Sequence, residues 1–311
     1  VFRRSGVRQL RLQLHQGQAQ NKRDNAFSFL GHFLCSRVRF RANIIVFFYF
    51  CGTRFPLMLS KNKIKFIHSL GIKKNRDSLG LFCAEGEKCV EDLFSYFQCQ
   101  TLIAQKEWID KKQFTAKEII YINSAEELKS ISSHKTPQPV FAVFEKREKK
   151  LIISELLSKL SLILDEVQDP GNLGTIVRIA DWFGIRNIIC SKNTADVFNP
   201  KALQATMGAA ARVDVHYVDL VDFLKNIQKE APDFPIYGTF LSGKNIYETS
   251  LKKNGLIVMG NEGNGICKDV ERFVSEQLLI PNFPQGEKTS ESLNVSVATA
   301  IICAEFRRRI L

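Results

Sequence analysis

The 311-residue sequence is poor in the features that would place it outside ordinary folded α/β chemistry. Its eight cysteines contain no CxxC pair and its five histidines stand singly, so neither a zinc centre nor a disulfide scaffold is expected. Several cysteines lie in apolar stretches and read as buried free thiols of a reducing compartment. The longest apolar run, "ANIIVFFYFCG", falls well short of the ~20 residues that cross a bilayer as a helix. There is no GxGxxG loop with a downstream acid and no P-loop lysine, which argues against dinucleotide and ATP chemistry. Internal repeats and low-complexity tracts are also missing. What remains, 45% apolar and 24% charged residues, is the composition of a folded globular chain expected in the cytoplasm.

The formal charge of +12 suggests a nucleic-acid partner until its distribution is considered. Ten basic residues against Asp24 alone place +9 of it in residues 1–57. That segment shows no sustained helical or strand period, the chain begins with Val1, and the first methionine is Met58. Residues 1–57 are therefore expected to be a non-native or disordered extension from upstream translation or a misplaced start. A targeting segment or an RNA-binding arm is the other reading. Residues 58–150 and 151–311 are expected to be two domains, divided near the charge run "EKREKK".

From Met58 onward, helical and strand patterns alternate. "LSKNKIKFIHSLGI" is amphipathic through Ile64, Ile67 and Leu70, "GLFCAEG" is a strand and "EKCVEDLFSYF" a helix. "TLIAQKEW" is strand-like, and Ser124 with Glu127 reads as a capping box. "PVFAVFEK" gives another strand. The second half alternates more strongly: "LSLILDEV" is a buried strand, "GNLGTIVRIADWFGI" a helix closed by Gly184, and "NPKALQATMGAAARV" a further helix. Strands "NIICS", "VDVHYV", "PIYGTF", "GLIVMGNEG" and "QLLIPN" complete a mostly parallel sheet, and a last helix is expected to start near Ser292. In such sheets ligands sit beyond the carboxyl ends of the strands.

Three segments occupy that position. "DEVQDPGNLGTIVR" carries Asn172 and Arg178, with Gly171 and Gly174 permitting close approach of a ligand or of backbone. "VMGNEGNGI" holds Glu262 amid glycines in a loop that can present N–H groups. "KTSESLNVSVATA" offers more polar groups than the last helix needs for capping: Thr289, Ser290, Ser292 and Asn294. Taken singly, each also fits a bland reading: a glycine-rich helix start with a surface arginine, a turn with a solvated glutamate, a capped helix.

"NLGTIVR", "GNEGNGI" and "IPNFPQGEKTSESLNVSVATA", in this order and at strand ends, together resemble the three motifs of the SpoU/TrmH branch of the SPOUT RNA methyltransferases, over roughly residues 160–311. "GLFCAEGEKCVEDLF" and "SSHKTPQPVFAVFEK" look like the small substrate-binding domain of such proteins. The resemblance implies a small α/β RNA-binding domain, then a parallel-sheet α/β domain whose C-terminal part forms a deep trefoil knot. It also implies a homodimer through the knotted domain, and methyl transfer from S-adenosylmethionine to a ribose 2′-hydroxyl of structured RNA, with no metal. Catalytic positions map onto Asn172, Arg178, Glu262, Ser292 and Asn294. Cofactor contacts map onto Thr239, Phe240, Leu241, Gly260, Asn261, Gly263, Ile280 and Leu293. The RNA-facing cluster is Lys61, Lys63, Lys65, Lys73, Lys74 and Arg76. The auxiliary domain favours ribosomal RNA over tRNA. A tRNA 2′-O-methyltransferase and a catalytically silent RNA-binding or ribosome-assembly protein are the competing expectations.

Overall fold

The computed structural model describes residues 59–284 and 290–309. Expectations for residues 1–57, and for Thr289, Cys35 and Cys51, lie outside the described residues. Helix α1 (Lys61–Ser69) starts under the Ser60 hydroxyl, which accepts from Lys63 N, and it buries Ile67 with Leu70 beyond its end. Helix α2 (Lys73–Leu79) ends at Gly80 in the left-handed region, φ 64°. Next come β1 (Leu81–Glu85), α3 (Glu87–Phe94), β2 (Cys99–Gln105), α4 (Lys106–Lys112), β3 (Glu118–Ile122), a 3-10 turn over Ala125–Ser130, and β4 (Val140–Glu145).

These strands form one sheet in the order β1-β4-β2-β3, with β2 and β3 parallel and β4 antiparallel to β1 and β2. Alternation along each strand feeds two cores. Leu102 and Phe144 face the layer that holds Leu93, while Ile103, Phe141 and Val143 meet Ile67, Leu70 and Leu128.

The second sheet is wholly parallel. After the short α5 (Ile153–Leu156) come β5 (Leu160–Leu164), α6 (Pro170–Trp182), β6 (Asn187–Ser191), α7 (Pro200–Thr206), β7 (Asp214–Val218) and α8 (Leu220–Glu230). The remainder is β8 (Ile236–Asn245), β9 (Gly255–Met259), α9 (Lys268–Glu271), β10 (Glu276–Leu279) and α10 (Val295–Arg308). Strand order is β10-β8-β9-β5-β6-β7. The central β5 and β9 are buried along their whole length, as expected of strands covered on both faces. The chain leaves β5 toward β6 on one side, and β9 returns on the other, which makes the β5/β9 boundary the topological switch point.

Several local expectations give way to packing. "KEW" opens α4 instead of extending β2. Ser124 makes no side-chain cap, and Glu127 accepts instead from Asn123 N, at a 3-10 turn. The helix expected over "NPKALQATMGAAARV" stops at Met207 (φ 50°) and Gly208 (φ 90°). A Cβ at Gly208 would lie 2.2 Å from the Asp92 carboxylate, so only glycine lets the chain turn this close to α3. The last helix begins at Val295 with Asn294 as its cap, not near Ser292. Cys83, Cys89, Cys99, Cys190 and Cys303 are at least half-buried free thiols, but Cys267 is exposed. No helix among the described residues is long and apolar enough to cross a membrane.

One expectation about the RNA-facing cluster is overturned. Lys61, Lys65, Lys73 and Lys74 are exposed, and Lys63 is half-buried against Glu118. Arg76, however, is 1% exposed. Its Nε and Nη2 donate to Asp196 Oδ2 at 3.0 and 2.7 Å, and its Nη1 donates to Leu70 O and Gly71 O, each at 2.8 Å. Lys73, three residues earlier on the same helix, stays exposed; it is Asp196 with the Leu70 and Gly71 carbonyls that draw the Arg76 guanidinium inward, so it binds this chain and not RNA phosphate.

Candidate functional site

The site is assembled from the loops after β5, β9 and β10. Asp169 caps α6, accepting from Asn172 N at 2.8 Å, and Pro170 occupies the first turn where no N–H is required. The helix thus starts two residues earlier than Asn172. The Lys201 ammonium, 2.7 Å from Asp169 Oδ2, together with the Asn172 N–H, holds the Asp169 carboxyl below its ordinary range. Gly174 serves backbone, not ligand: a Cβ there would sit 2.3 Å from Ala202 O, so its absence lets α6 and α7 pack closely.

The β9 loop folds around one side chain. Asn261 Oδ1 accepts from Gly263 N (2.9 Å) and Asn264 N (3.0 Å), and the Asn261 and Gly265 backbones bond each other. Those two N–H groups are therefore used internally and not offered to a ligand. Gly260 is required, since a Cβ would stand 2.3 Å from Gly265 C. The loop is pinned to β5 by two contacts. Asn261 Nδ2 donates to Glu166 O at 2.8 Å, and Cys267 N donates to the buried Asp165 at 2.8 Å. Glu166 adopts φ 58°, an uncommon conformation for a residue with a Cβ, and this turns its carbonyl toward Asn261.

One polar chain joins all three loops. Asn294 Nδ2 donates to Asn172 Oδ1 at 3.0 Å, and Asn172 Nδ2 donates to Glu262 Oε1 at 2.9 Å. Asn294 Oδ1 meanwhile accepts from Ser296 N, Ser296 Oγ and Val297 N, which caps α10. Each amide is held in one orientation, and the chain ends on an exposed carboxylate. Asn172, Glu262 and Asn294 are thus brought together. Arg178 and Ser292 are exposed and stand outside this chain.

The cofactor positions cluster around the same strand ends. β8 pairs with β9 up to Gly238 and with β10 through Gly238 and again from Lys244, so Thr239, Phe240 and Leu241 lie in the segment looped out between. Thr239 Oγ1 anchors it on Val258 O at 3.1 Å, Phe240 packs inward, and Leu241 stays 72% exposed. Leu293 is half exposed, and Ile280 packs against the core. Exposed Leu241 and Leu293 beside a polar loop fit a ligand with a flat apolar ring and a polar tail. Asp165, Glu166, Asp169 and Lys201, which hold these loops in place, were not singled out from sequence. The quoted "DEVQD" carries three of them, and only the fold shows what they support.

A parallel sheet with three polar loops meeting at its switch point belongs to the class of α/β proteins that bind a ligand beyond the strand ends. Comparison with known proteins narrows that class. The model of the SpoU rRNA Methylase family matches residues 159–304, and that of the MRM3-like substrate binding domain matches residues 61–142. The 23S rRNA (guanosine(2553)-2'-O)-methyltransferase RlmP of Bacillus subtilis is 30% identical over 247 residues, covering 79% of this chain and 96% of that protein. RlmB of Neisseria meningitidis serogroup B, a 23S rRNA (guanosine-2'-O-)-methyltransferase, is 30% identical over 198 residues, covering 61% and 76%. A TrmH-family chain from Porphyromonas gingivalis superposes with TM-score 0.74 at 39% identity, covering 81% of this chain and all of that one. The AdoMet-bound rRNA methyltransferase of Sinorhizobium meliloti superposes with TM-score 0.69 at 29% identity, covering 81% and 97%. The chain belongs to the SpoU methylase family.

Proposed function

We propose that the chain methylates a ribose 2′-hydroxyl of ribosomal RNA, using S-adenosylmethionine, as a cytoplasmic homodimer. The observation that carries this reading is the hydrogen-bonded chain Glu262–Asn172–Asn294, which links the three family motifs at the switch point. The 23S rRNA specificities of the two named relatives favour ribosomal RNA over tRNA, as does a substrate-binding domain proposed to end near residue 150. The C-terminal part of the second domain is read as the family's trefoil knot.

S-adenosylmethionine supplies an electrophilic methyl on a sulfonium. The looped-out Thr239–Leu241 segment, the Gly260–Gly263 turn, Ile280 and Leu293 would hold it, with the exposed Leu241 and Leu293 offering apolar surface to its ring. Asn172 and Asn294, fixed by their mutual bond, orient the ribose, and such placement contributes several kcal/mol to a bimolecular transfer. Arg178 offers a planar guanidinium fork of donors. It acts as a cation on the substrate phosphate and on the alkoxide character that develops at the 2′-oxygen. Among the described residues Arg178 has no ion-pair partner in its own protomer, which suits a role completed across a dimer interface. Lys61, Lys65 and Lys74 bind RNA phosphates from the small domain.

The test uses the full chain with labelled S-adenosylmethionine, total ribosomal RNA and tRNA, beside Arg178→Ala and Asn172→Ala. Transfer to ribosomal RNA that blocks alkaline cleavage at one nucleotide, lost in both variants, is expected. Transfer to tRNA alone would overturn the substrate. A folded dimer that neither binds S-adenosylmethionine nor transfers methyl would leave a silent RNA-binding protein.

A further inference from the structure

A cavity of about 160 Å³ lies away from the methyl-transfer site, where α7 covers one end of the small domain's sheet. Cavities near ~150 Å³ accept one aromatic ring of benzene size. Ile131, Phe141 and Leu203 form apolar walls, while Glu85, His134 and Gln204 supply polar edges. The Glu85 carboxylate, 4% exposed, accepts from Ser132 Oγ and from the backbone of Ser133 and Gln138, and so holds the 132–138 loop as one wall. Gln204 Nε2 donates to His134 Nδ1 at 3.2 Å, which closes the rim between the small domain and α7. Gln204 is exposed, so the mouth is reachable.

We propose that this cavity captures one unpaired nucleobase of the RNA substrate, splayed from its stack, with His134 and Gln204 meeting its polar edge. The inference rests on the RNA-methyltransferase reading above. Sequence-specific proteins read RNA mainly at loops and bulges, where a base can leave its stack, and a slot of apolar walls with a polar rim matches a heteroaromatic ring. The placement also suits a second anchor. On the same helix, less than one turn from Gln204, Lys201 holds Asp169, the cap of the helix that bears Asn172. A base seated in the cavity therefore lies beside the same helix that positions Asp169, and the distance from there to the target ribose selects the nucleotide that is methylated.

The test uses the full chain and a 23S rRNA transcript carrying 4-thiouridine and 6-thioguanosine, irradiated without S-adenosylmethionine. Cross-links are expected in the peptides spanning 131–141 or 200–204. Gln204→Trp, which lays an indole over the mouth, should abolish them and weaken transcript binding about tenfold, with S-adenosylmethionine affinity unchanged. His134→Ala, which removes one polar edge without adding bulk, should also weaken transcript binding and serves should the tryptophan disturb folding. Cross-links confined to other peptides, or transcript binding equal to wild type in both variants, would overturn the proposal. Because cross-linking and binding need no methyl transfer, a chain that cross-links here without methylating refutes the enzyme reading and not the cavity. One that methylates with an inert cavity does the reverse.

Discussion

Asp196→Ala would leave a buried guanidinium without its anion. The Arg76 and Asp196 side chains are 2% and 7% exposed, and Asp196 Oδ2 accepts from both Nε and Nη2. Removing one partner from such a pair costs about 3–5 kcal/mol, because the remaining charge stays desolvated. Here Arg76 keeps its two bonds to Leu70 O and Gly71 O, which places the loss toward the lower end, while Phe198 N loses its bond to Asp196 Oδ1. A loss of ~3–4 kcal/mol corresponds to a melting temperature lower by roughly 6–16 °C for a unit of this size. The double variant Arg76→Met/Asp196→Val removes both charges together, so it should recover most of that loss. Thermal and urea unfolding of the full chain, run as a double-mutant cycle, read the coupling directly. An Asp196→Ala cost below about 1 kcal/mol, or a double variant as unstable as the single one, would refute the reasoning.

Four further outcomes follow from named contacts. Asn294→Ala should abolish methyl transfer and also cost about 1 kcal/mol through the lost cap, whereas Asn294→Ser keeps a cap and should lose transfer alone, as activity and melting curves would show. Gly174→Ala sets a Cβ 2.3 Å from Ala202 O and should destabilise by ~1–3 kcal/mol in urea, since α6 and α7 must separate. The Arg308 and then Arg309 guanidiniums beside Glu305 hold its carboxyl at about 2. A depressed carboxyl stabilises above its unfolded value and loses that contribution as the pH falls toward 2. Wild type should therefore lose on the order of 1 kcal/mol more than Glu305→Gln between pH 5 and 2, allowing for screening at the exposed Arg308. Gly260→Ala should abolish S-adenosylmethionine binding in calorimetry while the fold persists, because only the β9 loop must move.

The motifs were legible because they are local: a strand, a short polar loop and a helix start leave their signature in a dozen consecutive residues. So were most element types, since buried strands and amphipathic helices carry their periods along the chain. Local pattern thus carried the order of strands and helices, their likeness to one family, and five motif positions, Asn172, Arg178, Glu262, Ser292 and Asn294, without telling which of them touch.

Tertiary structure decided which polar atoms meet. Nothing within "KKNR" tells Arg76 from its neighbours; Asp196, 120 residues later, does. Gly208 turns at φ 90° where a side chain would meet Asp92 of α3, and Gly174 admits α7 and not a ligand. The surplus of polar residues before the last helix likewise resolves only in space: Asn294 caps α10 and grips Asn172, while Ser292 stays in solvent. Propensity and period act over a few residues, whereas a buried charge or an oriented amide is satisfied only by whatever the fold brings within about 3 Å.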